Sequence, residues 1–164
     1  MNSAKEPQHK WLSSLPRSKM RYPTRLRDRA KYLFWRAYTP LHPLVRNTSL
    51  ALGVVKHGGR QNYALGYIAP DMSLQDFVTY LVSQGFANHF VAWKDDGEVV
   101  SLRRVENFTH QYHVRIFADG EVRGHYEFTP ECYPFAHLKA IGQEPRTEEF
   151  AKLFGTRVVS KTIA

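Results

Sequence analysis

Cysteine is almost missing from this sequence: Cys132 is the only one in 164 residues. That excludes an internal disulfide and fits a reducing compartment. Long apolar runs are missing too. Stretches such as LALGVV at 50–55 are far too short to cross a bilayer. The opening MNSAKEPQHKWLSSLPRSKM has no unbroken apolar stretch of the secretory kind. The sequons at Asn47 and Asn107 therefore carry no weight, and the expected setting is cytoplasmic. No cofactor fingerprint, no HExxH and no cysteine pair occurs, so neither a cofactor nor a metal is expected. Internal repeats and low-complexity tracts are also lacking.

What is present suits one globular domain: 43% of residues are apolar and 13% aromatic. The net charge of +8 is unevenly placed. Residues 1–31 hold nine Lys/Arg against Glu6 and Asp28, while the rest of the chain holds 14 Lys/Arg and 13 Asp/Glu. The body is nearly neutral and the head strongly basic. Such a field attracts polyanions: nucleic acid first, with an acidic protein or an anionic membrane surface as alternatives.

Prolines 7, 16 and 23 make residues 1–24 a mostly irregular basic arm. Residues 25–164 are read as one α+β domain. Thr24 is placed to cap a helix over 25–38, with Leu26, Ala30, Leu33 and Ala37 as the apolar stripe expected to pack inward. Residues 39–49, with Pro40 and Pro43, are expected to be a connector. KHGGRQ at 56–61 is a glycine turn that could cradle an anion, though a hairpin turn explains it equally well. A strand is expected over 62–69. A helix capped by Ser73 follows, its stripe Leu74, Phe77, Val78 and Leu81, with Gly85 as terminator. Residues 147–155 form the last helix. Between them lie two hairpins turning at Asp95-Asp96-Gly97 and Ala118-Asp119-Gly120, so the fold expected is an antiparallel meander of about five strands with helices on one face.

Register decides which way the polar residues of these hairpins point, because a slip of one residue reverses every face. A two-residue loop at Asp119-Gly120 would mix apolar and charged residues on both faces. A three-residue loop pairs Ile116 with Val122, Val114 with Gly124, Tyr112 with Tyr126 and His110 with Phe128. The opposite face then pairs Arg115 with Arg123, His113 with His125 and Gln111 with Glu127. The same loop length in the first hairpin pairs Lys94 with Glu98, Ala92 with Val100 and Phe90 with Leu102, and adds His89, Trp93, Val99, Ser101 and Arg103 to the polar face.

Two arginines facing each other are unfavourable by about 0.2–1 kcal/mol unless acids or a bound anion intervene. Glu121 and Glu127 alongside make an ordinary salt-bridged face the plain alternative to a ligand site. The leading functional expectation is a module that binds RNA or single-stranded nucleic acid. Arg25, Arg27, Arg29 and Lys31 would serve the phosphates, and His89, Trp93, Arg103, Arg115 and Arg123 an anion-binding sheet face. The second is a small phosphodiesterase or hydrolase, with His113 and His125 as acid–base pair and Glu127 beside them. The third is an adaptor docking its basic head on a membrane or protein. His110-Gln-Tyr-His113 is not a metal-binding strand pair, because its spacing sends the two imidazoles to opposite faces. A nucleophilic Cys132 with His137 is a weaker alternative than simple packing of a small residue.

Overall fold

The computed structural model describes residues 10–54, 63–89, 95, 97–134 and 142–160. The strands are β1 (Ala64–Ile68), β2 (Ala87–Asn88), β3 (Glu98–Val105), β4 (His110–Phe117), β5 (Glu121–Phe128) and β6 (Val158–Val159). The helices are α1 (Leu26–Tyr38), α2 (His42–Ala51), α3 (Leu74–Ser83) and α4 (Thr147–Phe154). One antiparallel sheet runs in the order β2-β3-β4-β5-β1-β6. The fold is α+β with a meander at its centre. No helix among the described residues is long and apolar enough to cross a membrane.

The β4–β5 hairpin takes the three-residue register: Ile116 faces Val122, Tyr112 faces Tyr126, His113 faces His125 and Arg115 faces Arg123. Gly120 holds the left-handed position at φ 83°, and its N–H donates to Phe117 O across 2.9 Å. The apolar face meets α3 and α4. Phe77, Val78 and Leu81 of α3 and Phe150 and Phe154 of α4 are buried against Val100, Leu102, Val114, Ile116 and Val122. Ser73 caps α3 by accepting from Asp76 N across 3.1 Å, an arrangement that contributes about 1 kcal/mol. Gly124 leaves room for the Phe150 ring and Leu65, where a Cβ would lie 2.9 Å from each.

The first hairpin departs from its expected register. Leu102 pairs with Asn88 and not with Phe90, and Arg103 pairs with Ala87. A slip of two residues keeps each side chain on its face. Residues 90–94, including Trp93 and the expected partners of Glu98 and Val100, lie outside the described residues. A register shift between Glu98 and Val100 sets Glu98 opposite Phe117. It turns Glu98 onto the polar face, where the regular alternation had placed Val99. Val99 instead packs at the margin of the apolar core.

Three further differences concern the helices and the edge. Thr24 is not the cap of α1; the capping position is Arg25, with no side-chain hydrogen bond. The stripe expected to pack inward (Leu26, Ala30, Leu33 and Ala37) is exposed, Leu26 at 82%. Trp35 is the buried residue of α1, its indole beside the His42 ring. Residues 39–49 are not a connector. A 3₁₀ turn over Thr39–Leu41 leads into α2, with Pro43 in its first turn. Proline is tolerated there because the first N–H groups of a helix have no intrahelical acceptor. Finally, β6 extends the sheet beyond β1 through Tyr67–Val159 and Ile68–Val158, a two-residue pairing too short to signal itself by alternation.

The arm is held to the body where it is described. Trp11, Leu12 and Leu15 pack against the core. Asn88 N donates to Pro16 O at 2.8 Å, and Ser18 N to Asn88 O at 3.2 Å. The arm therefore serves as a neighbour to the short β2.

Candidate site on the polar face of the sheet

Alternation along β3, β4 and β5 sends Ser101, Arg103, Gln111, His113, Arg115, Glu121, Arg123, His125 and Glu127 to the face opposite the apolar core. That face does not look to water. His89, His113 and His125 are exposed by only 6–8%, Arg103 by 1% and Glu127 by 2%. Ionic groups this deep must be paired and hydrogen-bonded to be tolerated.

Arg103 organises one end. Its guanidinium forms a fork on Glu131 (2.9 and 2.7 Å), and Nη1 also donates to Gln111 Oε1 at 3.1 Å. Its Nε donates to Ser18 Oγ of the arm at 2.7 Å. Because arginine only donates, it fixes the Gln111 carbonyl toward itself and aims the amide nitrogen the other way. Gln111 Nε2 accordingly donates to Glu127 Oε1 at 2.8 Å.

The histidines gather around Glu127. His125 Nε2 lies 2.9 Å from Glu127 Oε2. His113 Nδ1 lies 3.3 Å from Oε1, without hydrogen-bond geometry. Its Nε2 is 2.9 Å from Ser101 Oγ. The His113 ring meets the rings of His125 (5.0 Å) and His89 (5.4 Å), and Tyr63 packs on His125 at 5.3 Å. His89 is anchored beside this cluster by its N–H, which donates to Ser101 O at 3.2 Å.

Arg115 and Arg123, the facing pair, each have a carboxylate partner. Arg115 binds Glu98 Oε2 at 2.8 and 2.9 Å and also contacts Asp95. Burial works against its charge, but Glu98 and Asp95 hold its pKa above the ordinary value. Arg123 binds Glu121 at 2.7 and 3.1 Å. Both guanidiniums lie against the Phe117 ring, at 5.5 and 5.7 Å.

A separate cleft of about 530 Å³ opens between the arm, α1 and the Arg103–Glu131 pair, lined among others by Lys19, Tyr32, Trp35 and Arg36. Of the candidate phosphate-contacting residues, Arg25, Arg27 and Arg29 are exposed on the arm and α1, as are Arg17, Lys19, Arg21 and Arg36. Lys31 is half-buried, its ammonium 4.0 Å from the Tyr133 ring centre and 3.4 Å from Cys132 Sγ. The turn at 56–61 and His137 lie outside the described residues.

The sequence reading did not single out Glu131, Ser18, Glu98 as a partner of Arg115, or Tyr63. Glu131 and Ser18 sit in irregular segments with no period to betray their direction. Glu98 depends on a bulge, and Tyr63 (φ 61°) on a left-handed backbone.

Burial pushes the His113 pKa below its ordinary 6.5, against the pull of Glu127 and with smaller contributions from His125 and Arg115. The folded state then binds fewer protons than the unfolded chain below that value. His113 therefore lowers stability as pH falls from 6.5 toward the folded pKa, with a slope of at most about 1.4 kcal/mol per pH unit. Urea midpoints measured between neutrality and mild acid should decline in this way. The decline should flatten in His113→Gln; an equal decline in that variant assigns the effect to other groups.

The fold and site define a protein built on one mixed-face sheet, with a histidine–carboxylate–arginine network shut into its polar side. No protein family, curated protein or solved structure matches the chain.

Proposed function

We propose that the protein binds single-stranded nucleic acid, RNA foremost, through its basic arm and α1. The observation that supports this reading is the exposed set of Arg17, Lys19, Arg21, Arg25, Arg27, Arg29 and Arg36 on the arm and α1, two of which, Lys19 and Arg36, line the cleft. Cations on a surface neutralise successive phosphates, and the part-exposed Tyr32 ring in the cleft offers a face to an unstacked base. The contact surface is the arm and α1 rather than the sheet face, because His89, Arg103 and Arg123 are buried.

The test uses the full chain and a labelled poly(U) oligonucleotide titrated over a salt series. Arg21→Gln/Arg25→Gln/Arg27→Gln removes three exposed charges without touching the core. Each lost phosphate contact lowers the slope of log affinity against log salt by about 0.7, so the triple variant should lose roughly 2. Lys152→Gln, on α4, should leave the slope as it is. An unchanged slope in the triple variant rejects this surface. Binding to anionic vesicles but not to the oligonucleotide would shift the reading to a membrane-docking adaptor.

A second reading, a small phosphodiesterase, draws on His125 standing 2.9 Å from Glu127 with His113 beside it. In that reading the histidines, exposed by 6–8%, exchange protons with a phosphodiester that has to displace what covers the face. Oligonucleotide cleavage that disappears in His125→Gln would favour it over simple binding.

A further inference from the structure

We propose that His113, His125 and Glu127 form a binding site for a divalent transition-metal ion of the zinc class. One ligand atom from each of the three lies within 4.8 Å of the others. Each imidazole already stands close to one oxygen of the carboxylate, His113 Nδ1 at 3.3 Å from Oε1 and His125 Nε2 at 2.9 Å from Oε2. Tetrahedral zinc with bonds of 2.0–2.1 Å sets neighbouring ligand atoms about 3.3 Å apart. Separations of up to 4.8 Å must close toward that value for all three to bind one ion.

The orientation of His113 is the second, independent observation. Ser101 Oγ sits 2.9 Å from Nε2, so Nε2–H can donate there and leave the Nδ1 lone pair free of a proton. That Nδ1 is buried and makes no well-aligned hydrogen bond, and a Glu127 carboxylate oxygen stands 3.3 Å from it. In that tautomer two acceptors face each other across 3.3 Å, and a cation between them makes a bond to each. Metal-ligating histidines are commonly held in this manner, with the outer nitrogen bonded to a second group.

The carboxylate is held likewise. Gln111 Nε2 donates to Glu127 Oε1, and Gln111 is itself locked by Arg103. Gln143 Nε2 stands 3.4 Å from Oε2. Two imidazoles and one carboxylate, with no thiolate, select zinc-like ions over magnesium or calcium, which take oxygen ligands. Three protein ligands leave a fourth position for water or another donor. The inference stands apart from nucleic-acid binding, whose surface lies on the arm and α1.

The experiment titrates the full, untagged chain, stripped with a chelator, first with Zn²⁺ and then with Co²⁺. One equivalent of Zn²⁺ should bind and raise the melting temperature, and Co²⁺ should develop visible d–d bands of a low-coordinate nitrogen–oxygen site. His125→Gln and Glu127→Gln should lose the bands. Ser101→Ala keeps all three ligands and the fold, and should weaken Zn²⁺ about 10–100-fold. If the wild-type chain takes up no Zn²⁺ and gives no Co²⁺ bands, the proposal is overturned. It is equally overturned if the folded ligand variants bind as the wild type does. Should those variants not fold, Ser101→Ala decides: weakened binding supports the site, and unchanged affinity refutes it.

Discussion

Arg103→Met should destabilise the protein by about 3–5 kcal/mol, the range seen when one partner of a buried ion pair is removed. Arg103 is exposed by 1% and Glu131 by 3%, so the carboxylate left behind has neither solvent nor a cation. Gln111 Oε1 and Ser18 Oγ lose their donor in the same step. The urea midpoint should fall with little change in m, the signature of lost stability without a change in surface exposed. The double variant Arg103→Met/Glu131→Leu separates the causes. Replacing both charges by apolar groups of similar size is often nearly neutral, so it should recover most of the loss. If the double variant is as unstable as the single one, the cost lies in the Gln111 and Ser18 bonds rather than in an abandoned charge.

Gly66→Ala should rank beside it. Gly66 lies in β1 at φ 140°, where an added Cβ would run into the Val159 carbonyl oxygen and stand 2.9 Å from Val158 Cγ1. Backbone strain and overpacking each cost about 1–3 kcal/mol. The neighbour is main chain, which cannot rotate aside, so β6 must leave β1. Loss of amide protection at Ala69, whose N–H donates to Arg157 O beside β6, with the Ile68 and β4–β5 amides retained, identifies that local event. In a chain ending at Arg157 the same substitution should cost only the strain component. An equal cost in the shortened chain would show that β6 plays no part.

The β4–β5 hairpin was legible because its residues carry a period of two on both strands and a loop with glycine in one place. Only one register sorted apolar from polar, and a wrong register would bury Arg115 among the α3 and α4 leucines and phenylalanines. The Ser73 helix was legible for a similar reason: cap, stripe and terminator agree. The first hairpin was not, since β2 is two residues long and its partner's bulge breaks the alternation at Glu98. The α1 stripe misled because periodicity measures amphipathicity but not which face meets a neighbour. Trp35, one residue, outweighs Leu26 and Leu33 in fixing the helix on the body.

By itself the sequence determined the fold class, the central register, and the gathering of His113, His125, Arg115, Arg123 and Glu127 on one side of the sheet. These follow from short-range chemistry, alternation and turn residues that act over a few positions. The tertiary structure alone decided that this side is closed to water, that Glu98 and Asp95 hold Arg115, and that the His89 ring stands against His113. Those facts come from residues far apart in the chain, Ser18 with Arg103 and Arg103 with Glu131. No local pattern records them, because burial is a property of what covers a face and not of the strand that presents it.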